Sequence, residues 1–336
     1  MLCLGLESSC DETAAAVVAD GRRVLSSVVA SQRDLHRRYG GVVPELASRR
    51  HLETFLPVLQ EALEEAGVRP PDIDLVAVTR GPGLLGSLMV GLMAAKTLAY
   101  VYRRPLVGVH HLAGHVYACF LEAGEPPWPA VGLIVSGGHT ELVLLPGDGR
   151  VLRLGGTRDD AAGEAFDKVA RLLDLPYPGG PQIDRLARQG DPTAFAFPRA
   201  MLGDGTYDFS FSGLKTAVAL EVQALRARGG DLPVADLCAS FQQAVVDVLA
   251  AKTLEAAARY RAASVLLAGG VAANRALRRA LEEGARRLGV ELRVPPPEYC
   301  TDNAAMIAAA GTYAYRAGRV DNLDLEAAAR LPLERL

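Results

Sequence analysis

One pattern occurs twice in this chain, and it restricts the fold more than any other feature. An apolar run, Leu2 to Glu7, leads through the polar turn Ser8-Ser9-Cys10-Asp11-Glu12-Thr13 into a second run, Ala14 to Ala19. A tight Asp20-Gly21 turn follows, and a third strand is expected from about Val24 to Ala30. The same order returns as Val131 to Ser136, the turn Gly137-Gly138-His139-Thr140, Glu141 to Leu145, a turn over Pro146 to Gly149, and Val151 to Leu154. Helical and strand periods alternate after each trio. In the first half, helices are expected near 48–66 and 86–102, with strands near 73–79 and 106–109. In the second, helices near 161–173, 236–260 and 273–288 accompany strands near 264–268 and 291–294, and a last helix lies near 303–317. Alternation argues an α/β protein, and the opening hairpins make each sheet mixed. Two duplicated βββαβαβ-type units are therefore expected, with a boundary near 124–129 and a Pro- and Gly-rich, loop-rich insertion over about 176–233.

Composition narrows the class. The 336 residues are 50% hydrophobic and carry a net charge of −3, enough apolar material for two cores and too little charge for disorder. Net charge gives no electrostatic case for nucleic acid. Arginine clusters locally at Arg33, Arg37 and Arg38, at Arg49 and Arg50, and at Arg278, Arg279, Arg286 and Arg287, and solvated helix faces are the favoured explanation. The longest apolar run, Leu84 to Tyr102, is broken by Gly86, Ser87, Gly91 and Lys96 and reads as a buried helix rather than a membrane span. With no signal-peptide pattern at Met1, and five cysteines forming no CxxC pair, a cytoplasmic protein with reduced thiols is expected.

Three groups of residues can carry chemistry. In His111-Leu112-Ala113-Gly114-His115, a helix would put both imidazoles on one face, within reach of one metal ion. Leu112 stands where a zinc protease of the His-Glu-x-x-His type keeps its general base, so that chemistry lacks a key residue. Asp302 in Cys300-Thr301-Asp302-Asn303 is the natural third ligand, although spacing alone favours Asp302 or Thr301 as a cap of the last helix. Ser136-Gly137-Gly138, Gly179-Gly180 and Gly269-Gly270 can bring backbone N–H groups to a phosphate, with Asn274 close behind, although each is also met as an ordinary tight turn or cap. Acidic residues crowd the first hairpin turn (Asp11, Glu12) and the segment Asp159, Asp160, Glu164 and Asp167, with Asp184 beyond; helix-dipole complementation accounts for some of these without any function.

Taken together these segments resemble the bacterial TsaD (Gcp) family of tRNA N6-adenosine threonylcarbamoyltransferases. The resemblance is carried by Gly5-Leu6-Glu7-Ser8-Ser9-Cys10-Asp11-Glu12-Thr13, Tyr39-Gly40-Gly41-Val42-Val43-Pro44-Glu45, Gly81-Pro82-Gly83 and Val135-Ser136-Gly137-Gly138-His139-Thr140. Asp159 to Lys168, Tyr177 to Pro181, Phe209 to Lys215, Ala268 to Asn274 and Cys300 to Asn303 continue it in order along nearly the whole chain. It implies the actin-like fold of sugar kinases, Hsp70 and actin with an interdomain cleft. One subdomain would be 1–125 plus the C-terminal 303–336, and the other 126–302.

The resemblance also implies transfer of the threonylcarbamoyl group from threonylcarbamoyl-AMP to the exocyclic amine of adenosine 37, in tRNAs that read codons beginning with adenine, with release of AMP. By motif, His111, His115 and Asp302 would bind one divalent metal ion per subunit, iron or zinc. Ile134, Val135, Ser136, Gly137, Gly138, Asp167, Gly180, Asp184 and Asn274 would hold the adenylate. Asp11 or Glu12 is the candidate proton acceptor, because a weakly nucleophilic adenine amine needs one. The implied partners are tRNA, the smaller paralogue TsaB as a heterodimer partner and the ATPase TsaE, with no membrane involved. One departure stands out: many members carry a glutamate where this chain has Ala113. An actin-like kinase or ATPase and a catalytically idle scaffold are the other readings of the same fold.

Overall fold

The strand Leu2–Glu7 (β1) is buried along almost its whole length, and so is Glu12–Ala19 (β2), whose Ala14-Ala15-Ala16-Val17-Val18 leaves no polar face. Strands this uniformly apolar need cover on both sides, which only a sheet sandwiched by helices provides. The computed structural model of the chain, which describes residues 1–229 and 231–333, supplies that cover. The chain divides into two compact units, one formed by 1–126, 149–151 and 295–336, the other by 127–148 and 152–294.

In the first unit, β1, β2, Arg23–Ser31 (β3), Leu75–Gly81 (β4) and Leu106–His110 (β5) form one sheet in the order β3-β2-β1-β4-β5. The first three are antiparallel neighbours, whereas β4 and β5 run parallel to β1. A short helix Arg33–Arg37 (α1) precedes the long Pro44–Ala66 (α2), and α2 packs with Leu85–Tyr102 (α3) around a core of Leu4, Leu6, Val17, Phe55, Leu59, Val78 and Leu92. The second helix begins at Pro44, earlier than its periodicity suggested, because proline suits the first helical position. The third helix corrects an expectation: it is helical as read, but Leu85, Met89 and Met93, spaced four apart, are each half exposed, so it is not a buried helix.

The segment His111–Ala118 (α4) leaves β5 directly, and Ala304–Arg316 (α10) lies against β1, β4 and α4. That approach is unusually close. A Cβ on Gly5 would run into the Ala304 carbonyl oxygen, so glycine at 5 and the alanine-rich face of α10 seat the helix on the strand. The start of α10, and Asp302 just before it, are thereby fixed in the same unit as β1 and α4.

The second unit repeats the plan. Ala130–Val135 (β6), Thr140–Leu145 (β7), Leu152–Gly156 (β8), Ser264–Ala268 (β9) and Glu291–Arg293 (β10) take the order β10-β9-β6-β7-β8, with β6, β7 and β8 antiparallel and β9 and β10 parallel to β6. Its helices are Ala162–Leu172 (α5), Gly179–Ala187 (α6), Ser212–Ala227 (α7), Val234–Arg259 (α8) and Arg275–Leu288 (α9). Helices α6 and α7 fall inside the segment expected to be loop-rich. Its prolines and glycines hid them by breaking the apolar period, and α7 is capped from a distance by Asp159, which accepts from the backbone N–H of Phe211 (2.8 Å) and Ser212 (3.3 Å). Helices α3 and α8 are long and apolar enough to cross a membrane; the apolar stretch of α8 is two-thirds buried within the protein, as in a core helix.

Candidate functional site

Helix α4 is buried along its entire length, with Ala113, Gly114 and Ala118 small enough to let it press against α10. One turn apart, His111 and His115 share a face, their rings edge to face with centroids 4.8 Å apart. The alternative role for Asp302, capping α10, belongs instead to Asn303, whose Oδ1 accepts from the Met306 N–H at 2.9 Å. The Asp302 Oδ1 lies 3.1 Å from His115 Nε2 and 3.6 Å from His111 Nε2. One donor atom from each of the three residues falls within 4.8 Å of the others. His115 is fully buried, yet among the described residues neither of its ring nitrogens has hydrogen-bonding geometry to a partner. Two imidazoles and one carboxylate with such an orphaned nitrogen fit a divalent metal ion.

Behind His111 sits a residue that motif reading passed over. Glu7, the last residue of β1 and 1% exposed, brings Oε2 to 3.0 Å from His111 Nδ1. It also accepts from Thr79 Oγ1 (2.7 Å) and the Ser9 backbone N–H (2.5 Å), while Ser9 Oγ lies 3.2 Å from the same Nδ1. Carboxylates behind ligating histidines fix the ring so that the other nitrogen faces the metal. The available signal was a lone acid ending an otherwise apolar strand. Burial alone would lower the His111 pKa, but Asp302 and Glu7 outweigh it and push it up to about 9. Burial opposes charge on Glu7 as well, but His111 holds its carboxyl below the usual range.

Asp11 and Glu12 are both buried in the same unit. The turn that carries them is braced from α2, where His51 Nε2 donates to the Cys10 carbonyl (3.0 Å) and Thr13 Oγ1 meets His51 Nδ1 (2.7 Å). Glu12 receives a hydrogen bond from Ser31 Oγ (3.1 Å) and has Arg33 Nε at 3.4 Å. Burial, followed by the negative charges of Asp302 and Asp11, pushes its pKa up to about 9. A cation between the two histidines and Asp302 would offset that second cause. Ala113 lines a cavity with Arg80 and Arg319 rather than joining the ligand cluster.

In the second unit, Ile134 and Val135 end β6, and Ser136-Gly137-Gly138 make the turn to β7, held by Ser136 N–H to the His139 carbonyl (2.8 Å) and His139 N–H to Ser136 Oγ (3.2 Å). Gly163 at the start of α5 abuts Ser136 and Gly137, and Gly269 (φ +91°) abuts Val135, so the ends of β6 and β9 and the start of α5 converge on this turn. A Cβ on Gly137, Gly138 or Gly180 would meet nothing within 4 Å, and none of the three has a left-handed φ. The fold therefore does not require glycine there. Asp167 Oδ1 accepts from the Gly179 N–H (2.7 Å), which ties α5 to the start of α6. Asp184, within α6, pairs with Arg188 (2.9 Å) and receives the Arg275 N–H (3.3 Å). Asn274 caps α9 by accepting from the Leu277 N–H (3.0 Å) and donates to Gln242 (2.7 Å), so its amide already has structural work. Lys168 pairs with Asp160 and Glu164 at 2.7 and 2.9 Å.

Two sheets of one topology, one ending in a histidine–carboxylate cluster and the other in an open glycine turn, define an actin-like α/β protein with a candidate metal centre. Solved structures support the fold. Component A of the (R)-2-hydroxyglutaryl-CoA dehydratase of Acidaminococcus fermentans superposes with a TM-score of 0.54 at 17% identity, covering 94% of this chain and 98% of that one. HypF of T. kodakarensis gives 0.63 at 17% identity, over 94% of this chain and 48% of its own. The chain belongs to the TsaD family, whose model, described as tRNA N6-adenosine threonylcarbamoyltransferase, matches residues 23–309. Curated proteins of that name include one from Symbiobacterium thermophilum, 60% identical over 99% of this chain and 97% of the relative, and one from Geobacillus thermodenitrificans, 57% identical over 98% and 96%.

Proposed function

We propose that this chain transfers the threonylcarbamoyl group of threonylcarbamoyl-AMP to the N6 amine of adenosine 37 in tRNAs reading codons that begin with adenine. What carries the reading is membership of the family, at 60% identity over nearly the whole length of a named transferase. The anticodon loop is single-stranded, so its bases can be splayed out and reached. In the reaction, N6 attacks the carbamoyl carbon, the bond to the AMP phosphate oxygen breaks, and AMP leaves with the electron pair. The N6 proton passes to a carboxylate, for which Asp11 and Glu12 are the candidates. Backbone N–H groups at Gly137 and Gly138 would cradle the phosphate, with Ile134, Val135, Ser136, Asp167, Gly180, Asp184 and Asn274 shaping the adenylate site; the free space above three of these glycines supports this.

His111, His115 and Asp302 would hold one divalent ion, for which two imidazoles and a carboxylate suit iron(II) or zinc. Such an ion supplies Lewis-acid stabilisation of oxyanion charge. A heterodimer with the paralogue TsaB and dependence on the ATPase TsaE fit the apolar stripes left exposed on α2 (Leu52, Leu56) and α3 (Leu85, Met89, Met93). A tRNA substrate makes the cytoplasm the place of action. The subdomain division stays the proposed one: 1–125 with the C-terminal 303–336, against 126–302.

Nucleoside mass spectrometry tests the reading. The metal-loaded protein, with TsaB, TsaE, threonylcarbamoyl-AMP and unmodified A-decoding tRNA, should yield threonylcarbamoyladenosine, and Asp302→Ala should yield none and lose its metal. Absence of product from the native complex would sink the transferase assignment.

A further inference from the structure

The segment between β3 and α2, residues 32–43, is tied at its start to the turn that carries Asp11 and Glu12. The Gln32 N–H donates to the Asp11 carbonyl (2.9 Å), Ser31 Oγ donates to Glu12 (3.1 Å), and Arg33 Nε stands 3.4 Å from the same carboxylate. Its far end is held from inside. His36 in α1 is fully buried, and the Val43 N–H can only donate, so His36 Nδ1 accepts it (3.2 Å) and Nε2 donates to Gln32 Oε1 (3.3 Å). Gln32 Nε2 in turn donates to the Ala47 carbonyl of α2 (3.3 Å). An imidazole engaged at both nitrogens thus fixes the chain on either side of 37–42. Between these clamps Arg37, Arg38 and Tyr39 all face solvent, and Tyr39 is 60% exposed. They are not the solvated face of a helix, since α1 ends at Arg37 and the other two lie beyond it. Residues 32–43 hold three arginines against one aspartate, Asp34, in a chain of net charge −3.

We propose that this loop is a surface on which the anticodon loop of the tRNA docks, with Tyr39 stacking on an unpaired base and Arg37 and Arg38 taking the flanking phosphates. Every base offers a π-face and every linkage a negative charge, so an exposed ring beside two cations suits single-stranded nucleic acid. A protein partner gains little from solvated arginines, whose surface ion pairs are weak, whereas RNA releases condensed counterions for each phosphate neutralised. Arg33 is engaged by Glu12 and is not counted among the phosphate contacts. The docking surface rests on the transferase function proposed above and extends it from the reacting base to the place where the RNA is held. The chain of contacts Asp11–Gln32–His36–Val43 keeps that surface in register with the candidate proton acceptors.

Equilibrium binding of fluorescently labelled, unmodified A-decoding tRNA to the complex of this chain with TsaB and TsaE tests this, read by anisotropy over a series of KCl concentrations. Tyr39→Ala should weaken binding about 5- to 100-fold, the worth of one base stacked on an aromatic ring, and Tyr39→Phe, which keeps the ring, should bind like the native chain. Arg37→Gln combined with Arg38→Gln should weaken binding and flatten the slope of log affinity against log salt by about 0.7 for each arginine removed. All these side chains are exposed, so Tm and the affinity for threonylcarbamoyl-AMP should stay native. Native tRNA affinity and salt slope in both the Tyr39→Ala and the double-arginine variant would overturn the docking surface and leave the transferase function standing. Loss of TsaB or TsaE from the variants, with tRNA affinity otherwise native, would give the loop to a protein partner and overturn it as well. A native complex that binds no tRNA would sink the transferase function itself.

Discussion

The same turn, between the first and second strand of each sheet, has been built in opposite ways. In the first unit it is closed and made of side chains: Glu7, Ser9, Asp11 and Glu12 are all buried and braced by Thr79, His51 and His111. In the second it is open and made of backbone, with Gly137 and Gly138 exposed and free space where their side chains would be. A duplicated fold thus offers one end suited to fixing charged groups and one suited to receiving a phosphate. If that division is right, substitutions in the first turn should damage chemistry and metal binding, and substitutions in the second should damage substrate affinity alone.

The largest effect is expected at Asp11. Burial, the first cause of the raised Glu12 pKa, remains when a cation offsets Asp302, so this carboxyl stays easier to protonate than an ordinary glutamate. A protonated carboxyl cannot accept the N6 proton. Asp11→Asn should therefore lower turnover by about 10²- to 10⁴-fold, the span of general-base contributions, with metal content unchanged. Glu12→Gln, nearly isosteric with the protonated acid, should cost much less. Equal losses in the two variants, read by single-turnover product formation, would reverse the assignment.

Next comes Glu7. Its hydrogen bond fixes His111 Nδ1 as the protonated nitrogen, leaving Nε2 for the metal. Glu7→Gln should weaken metal binding about 10- to 100-fold, the usual cost of losing a carboxylate behind a ligating histidine. Chelator-competition titration measures this directly. Unchanged affinity would mean that Asp302 and the helix alone orient the ring.

The two turns were not equally legible in the sequence. The strand trios and their recurrence along the chain follow from short apolar runs and their spacing, and this part of the fold stands as read; the spacing of His111 and His115 says only what a helix there would do, not that one forms. The partner of His111 does not follow, because Glu7 and His111 are 104 positions apart and meet only when β1 and β5 flank β4 in one sheet. Helices α6 and α7 escaped because long-range caps such as Asp159 have no local signature. The half-exposed face of α3 escaped for a different reason. Apolar content says that a helix can be buried, and nothing within its own residues says which side finds a partner.

Glycine substitutions sharpen the other half of the comparison. Gly137→Ala and Gly180→Ala meet no neighbour and require no left-handed φ, so the folded protein should keep or gain stability, by about 0.4–1 kcal/mol. The added methyl would occupy the space that the adenylate phosphate needs, and KM for threonylcarbamoyl-AMP should rise about tenfold, the worth of one weakened hydrogen bond to a charged group. A fall in Tm with unchanged KM would show that these glycines serve the fold after all.

The smallest effect is in pH, and it arises from two groups of the first unit. His111 has a folded-state pKa of about 9 against an ordinary 6.5, and Glu12 one of about 9 against 4.5, so each binds its proton more tightly in the folded state. For a raised pKa, the contribution to stability is complete below the unfolded value and is lost as pH rises through the folded one. Metal-free protein should therefore begin to lose stability above about pH 4.5, through Glu12, and lose it more steeply from about pH 6.5 to pH 9, where His111 adds its share, read as a falling Tm. The metal competes with the His111 proton, so its affinity should rise over the same interval and the loaded protein should be less sensitive. Differential scanning calorimetry of both forms at pH 6.5, 8 and 9 reads the difference. His111→Gln, which removes one titrating group, should flatten the metal-free curve; an unchanged slope would assign the pH dependence to carboxyls other than those around this helix.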